Sequence, residues 1–248
     1  MPEPKFNRED HLENKTSSLS DLTGHLDDLR WTILYSVIAL IVGFVLAFYY
    51  SGELITLLER LAPQGSSFFQ LKPGELFTVS LKVSFFAALY FSVWVIIWQI
   101  YAFLKPALKP DENELACLIA VLAPLLFYIG LVFAYEFLLP PLLEFLLNFR
   151  DGVVEKRYGL ESFVNLVLSI ETVTGIAFQL PVVIFILGLL NLVTVKALFK
   201  IWRYVVLFAF VISALITPTP DPLTMSILAI ALLLLYFSTI LLLKLMGK

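Results

Sequence analysis

From Trp31 to the C-terminus the chain alternates long apolar runs with short polar breaks. A helix needs about 20 mainly apolar residues to cross the hydrocarbon of a bilayer. Six runs read as spans, at about 31–50, 77–103, 115–138, 162–191, 201–216 and 223–244. The first is entered through an amphipathic lead-in over residues 21–30, where Leu22, Leu26, Leu29 and Ile33 recur at helical spacing. Residues 1–19 are polar and mixed in charge and read as a disordered tail, with Ser18 or Ser20 as a helix N-cap. The membrane domain is then a single unit over residues 20–246.

The breaks have their own chemistry. Gly52, Pro63, Gly65, Pro73 and Gly74 make 51–77 a loop, with one short helix over about Glu53–Leu61. Pro106 and Pro110 frame the polar connection Lys105–Glu114. Pro140-Pro141 is expected to stop the third span, leaving 142–160 as a second long loop. The fourth run exceeds the length of one span and is expected to tilt, or to bend at Pro181, where the ring removes a backbone hydrogen bond. Lys196, Lys200 and Arg203 mark the next connection, the fifth run is short, and Thr217–Pro222 is a tight proline-rich turn. The fold class is an all-α polytopic membrane protein with six transmembrane helices.

Composition agrees with that pattern: 60% of the residues are hydrophobic, 15% are charged, and the mean hydropathy is +0.90. A soluble domain carries about 45–50% apolar and about 25% charged residues. The net charge of −3 implies no nucleic-acid partner. Cys117 is the only cysteine and His11 and His25 the only histidines, so no disulfide, metal or cofactor is expected. No cleavable signal is expected before the first span, because Met1–Asp28 lacks an apolar core. Six spans put both ends on one side. Of the 17 lysines and arginines, eleven fall on the side of the termini and six on the other. The excess places both termini in the cytoplasm.

Charge then singles out a few residues. Gly24-His25-Leu26-Asp27-Asp28-Leu29-Arg30 lies against the first span, and Asp111, Glu112 and Glu114 lie between spans two and three on the same side. If spans one to three pack together, these acids form a patch suited to guanidinium groups, which carboxylates pair bidentately. The alternative is a set of solvated loop charges, partly neutralised by Arg30, Lys105 and Lys109. Glu171 and Gln179 lie inside the fourth span, eight residues apart, which is about 12 Å along the axis and roughly 80° around it. An intramembrane acid is costly and points to function; for Gln179 the other reading is an interhelical hydrogen bond. Glu75 is expected to cap span two, with Pro73 before it and Lys82 after it, and Asp221 to cap the last helix. No phosphate loop, HExxH or nucleophile elbow is present, so no enzymatic activity is expected.

These segments carry a resemblance over residues 20–246. Gly24–Arg30, Leu71-Lys72-Pro73-Gly74-Glu75-Leu76-Phe77 with Leu81-Lys82, Gln99–Leu108 with Glu112, Gly175-Ile176-Ala177-Phe178-Gln179-Leu180-Pro181-Val182, and Thr217-Pro218-Thr219-Pro220-Asp221 stand in the order of the motifs of TatC. The chain thus resembles the TatC family, the multispanning receptor subunit of the twin-arginine protein translocase, in particular its cyanobacterial and plastid members. The resemblance implies a cup-like set of six helices with short helices five and six, in a plasma (inner) or thylakoid membrane. It implies binding of the Arg-Arg signal peptides of folded cargo at the cytoplasmic face, through Asp28 and Glu112 with Arg30, Gln99 and Phe103 shaping the site. It also implies single-span TatA and TatB partners, a multimeric TatBC receptor complex, and transport driven by the proton-motive force.

Several positions depart from the family pattern, among them Asn113-Glu114, which follow Glu112 where basic residues are common and make that loop more acidic. Asp28 stands where glutamate is usual, shorter by one methylene; Gln179 stands where bacterial members often carry glutamate; Met225 replaces a frequent glutamine. A proton- or ion-coupled small-molecule transporter using Glu171 is the rival reading, and a plain membrane anchor is a second.

Overall fold

The structure is a computed structural model that describes residues 8–63, 66–105, 110–148, 157–190, 192–217 and 221–246; the side chains of 8–28, 104, 110–112, 147–148 and 157 lie outside that set. Among the described residues, six helical stretches are long and apolar enough to cross a membrane: Leu29–Tyr49, Glu75–Phe103, Asn113–Leu146, Leu160–Leu189, Val195–Ile216 and Pro222–Leu245. The last two have 22 and 24 residues, against 29, 34 and 30 in spans two to four.

Helix α1 (Arg8–Tyr49) carries the first span, and its backbone is already helical within the stretch expected to be a disordered tail. It packs chiefly on α3 (Glu75–Leu104). Between them lies α2 (Ser51–Glu59), the short helix expected in the first loop. Helix α4 (Pro110–Phe133) keeps Pro124 inside it. It then widens into a π-helical turn over Ala134–Leu138 and continues as α5 (Leu139–Asn148). The expectation that Pro140-Pro141 stops this span is therefore corrected. The Leu139 N–H bonds back five residues to the Ala134 carbonyl. The wide turn and the position of both prolines in the first turn of α5 remove the need for their missing N–H groups. Leu139, Leu142 and Leu143 of α5 are wholly buried, so Leu142 and Leu143, expected in a loop, lie in the core.

The fourth span is two helices, α6 (Leu160–Ala177) and α7 (Leu180–Leu189). The break falls at Phe178-Gln179, just before Pro181. There the Gln179 N–H bonds Ile176 O at 2.9 Å, three residues back, and the bond that a residue at 181 would give to Ala177 is missing because proline has no N–H. Helix α8 (Val195–Ile216) starts earlier than the expected 201, because the Thr194 hydroxyl accepts the Ala197 N–H at 3.3 Å as an N-cap. Lys196, Lys200 and Arg203 thus ride on its first turns rather than in a connection, and the Arg203 guanidinium lies 5.8 Å from the Trp202 ring centroid. Helix α9 (Pro222–Leu245) closes the described chain.

One feature is not helical. Strands β1 (Ser67–Phe69) and β2 (Arg157–Gly159) pair in parallel, with Ser67 opposite Arg157 and Phe69 opposite Gly159. This joins the two loops that were expected to be irregular. The larger core sits at that end of the bundle, around Val79, Val83, Leu138, Leu142, Leu160, Val164 and Leu228. A smaller one, with Phe185, Leu198, Tyr236 and Leu243, sits at the other. Helices α4 and α6 touch through glycine: a Cβ on Gly130 would lie 3.0 Å from Gly175 Cα and 2.9 Å from the Phe178 ring. Small residues allow such close approach where van der Waals packing supplies the attraction between spans.

Candidate functional site

Following the chain through the bundle assigns the candidate residues to its two ends and its interior. The start of the first span, the end of α3 and the start of α4 share one end, with the start of α8 and the end of α9. Arg30 is exposed there, and Gln99 and Phe103 are half-buried on the last turns of α3. The side chains of Asp28 and Glu112 lie outside the described residues; their backbone positions are on α1 and in the first turn of α4. One contact fixes the α3–α4 corner. The Tyr101 hydroxyl donates to Asn113 Oδ1 at 3.0 Å, tying the turn that carries Gln99 and Phe103 to the residue after Glu112. Tyr101 was within a recognisable segment but not singled out; its signal was a tyrosine at a helix end opposite an asparagine in the next helix.

At the opposite end Pro73 and Gly74 form the middle of a turn from Lys72 to Glu75, closed by the Glu75 N–H on Lys72 O at 3.2 Å. Gly74 has φ +82°, the left-handed geometry that a type II turn requires at that position. Glu75 begins α3 but does not cap it, which corrects the expectation. Its side chain, 4% exposed, turns away and accepts the Leu71 N–H at 2.6 Å, the Lys72 N–H at 3.1 Å and the Glu161 N–H at 2.9 Å. It therefore serves the first turn of α6, whose N–H groups have no partner within their own helix. Lys82 completes the link, with Nζ 2.5 Å from Glu161 Oε1 and 3.2 Å from Asn165 Oδ1. Glu161 and Asn165 were missed, since their partner on α3 is about 80 residues away.

In the interior, the Gln179 amide donates to Ala123 O on α4 at 3.0 Å, which is the interhelical bond among the two readings of that residue. Glu171 is 8% exposed and forms no hydrogen bond or ion pair with a described residue. Near it the Tyr90 hydroxyl bonds Thr172 Oγ1 at 2.8 Å. Asp221 caps α9 as expected: its Oδ2 accepts the Thr224 N–H at 2.9 Å and its Oδ1 accepts the Thr224 hydroxyl. Thr224 follows the expected cap, and the Met225 N–H bonds Asp221 O at 3.2 Å through its backbone.

Six membrane-length helices, tied at one end by the Glu75 and Lys82 contacts, define an integral multi-pass membrane protein. The family described as Sec-independent protein translocase protein (TatC) matches residues 24–230. The chain is similar to the TatC of Synechocystis sp., 39% identical over 228 residues, covering 92% of this chain and 89% of that one. It is 39% identical over 237 residues to the chloroplastic TATC of Oryza sativa subsp. japonica, covering 95% of this chain and 65% of the rice protein's length. A crystal structure of the twin-arginine translocase receptor TatC in DDM superposes with a TM-score of 0.72 at 30% identity, covering 88% of this chain and 98% of that one. The chain belongs to the TatC family. It is a multi-pass membrane protein and a component of Sec-independent protein translocation.

Proposed function

We propose that this chain is the receptor and core subunit of a twin-arginine translocase. The signal's two arginines pair with Asp28 and Glu112, while Arg30, Gln99 and Phe103 shape the site around them. The observation that carries this reading is the meeting of the first span, the α3 end and the α4 start at one end of the bundle, with Tyr101 and Asn113 holding the corner. Two carboxylates on separate helices suit two adjacent guanidinium groups, each of which forms planar bidentate pairs. That end is cytoplasmic by the distribution of lysine and arginine. TatA and TatB are its single-span partners, in a multimeric TatBC complex, and the proton-motive force drives export across the plasma membrane or, in a source that has them, thylakoids. The chain binds and delivers cargo rather than transforming it chemically.

A photo-crosslinker placed at position 28 or 112 tests this. It should capture a twin-arginine precursor and lose it when the pair is changed to Lys-Lys. In a pull-down, the Asp28→Asn, Glu112→Gln double variant should release the precursor. Equal capture of both signals overturns the charge-pairing mechanism.

A further inference from the structure

Glu171 is the titratable group that the receptor reading leaves unused. It lies eleven residues past the start of α6, about 16 Å along the axis from that end of the fourth span. It lines a cavity of about 270 Å3 walled by α2, α3, the α4–π segment and α6. The walls are mostly aliphatic, with Leu54, Leu57, Val83 and Leu168 among them. The groups on those walls that can titrate are Tyr90 from α3 and Tyr135 and Glu136 from the π turn. Helix α2 presents leucines to it, and its Glu53 and Arg60 border an adjoining hollow that shares Leu54 and Leu57 with the cavity. Both tyrosine hydroxyls are engaged elsewhere: Tyr90 with Thr172, and Tyr135 donating to Leu57 O at 3.1 Å.

No described cation or donor thus answers the carboxylate in this cavity. An ionised, unpaired carboxylate is strongly disfavoured in such surroundings, and the group neutralises instead. A metal ion requires several oxygen ligands in a set geometry, and Glu136 is exposed on the far wall. The one cation that a single carboxylate binds without further ligands is the proton. The geometry points to Glu171 as a proton-binding site within the fourth span, exchanging its proton with water through the cavity beneath α2. This assignment does not depend on signal-peptide binding at the other end of the bundle.

The test is infrared difference spectroscopy on the purified full chain in lipid, comparing wild type with Glu171→Gln between about pH 5 and 9, a range above the ordinary carboxyl pKa of about 4.3. The expected result is a protonated-carboxyl C=O band at neutral pH that is absent from Glu171→Gln, fades at higher pH and shifts on transfer to D2O. Glu171→Asp serves as the second variant if the glutamine form does not fold, and should move the band without abolishing it. A carboxylate already ionised at about pH 6 overturns the proposal. A band that persists but never shifts in D2O overturns the exchange route.

Discussion

Replacing Asp221 separates the worth of a helix cap from that of its charge. The side chain is 4% exposed and takes two hydrogen bonds from one residue, the backbone N–H and the hydroxyl of Thr224, which is itself wholly buried. Asp221→Ala removes both acceptors. Loss of an N-cap costs about 0.5–2 kcal/mol, and a buried hydroxyl left without its partner costs about 1–3 kcal/mol. The hydroxyl recovers part of this by turning back to a carbonyl of its own helix. The expected net loss is therefore about 2–3 kcal/mol, or roughly 30- to 160-fold in the unfolding equilibrium. Asp221→Asn keeps an oxygen for the N–H, and its amide donates to the threonine oxygen, so the expected loss is under about 1 kcal/mol. Equilibrium unfolding of the detergent-solubilised protein, with Thr224→Val closing a double-mutant cycle, measures both. Equal destabilisation by Ala and Asn would refute the capping argument in favour of charge. A loss below about 0.5 kcal/mol for Ala would refute it altogether.

Three further outcomes follow from the packing and the staple. Gly130→Ala should cost about 1–3 kcal/mol in the same unfolding assay, because the new methyl meets the Phe178 ring at 2.9 Å. Gly52→Ala should cost nothing, since a Cβ there meets no atom within 4 Å. Glu75→Ala should speed amide hydrogen exchange at Leu71, Lys72 and Glu161 together, as all three donate to its carboxylate. Unchanged protection at Glu161 would show that α6 does not rely on it.

What was legible in the sequence was local. The spans follow from runs of apolar residues, and the Asp221 cap from an acid three residues before its own donor. Pro140-Pro141 misled because proline ends a helix only where its N–H is needed, and the π turn before it changes that requirement. Glu75 misled because an acid at the start of a helix usually serves that helix, yet here its carboxylate accepts from the turn before α3 and from the first turn of α6. The β pair was invisible, because three residues on each side carry too little pattern to announce a partner so distant in sequence. At the end that carries Gln99 and Phe103, the family segments named Asp28 and Glu112, but only the folded corner gave Tyr101 its part.

The parallel pair of β1 and β2 also orders events in time. Its strands are about 90 residues apart, from Ser67 opposite Arg157 to Phe69 opposite Gly159, and two spans are made between them. During synthesis the first strand must wait, exposed, until spans two and three are inserted and the second strand has crossed to the same side. Closing a loop of that size is slow until the helices themselves bring its ends together. The stapled end of the bundle is therefore set late, as a latch that closes only on a correctly inserted chain.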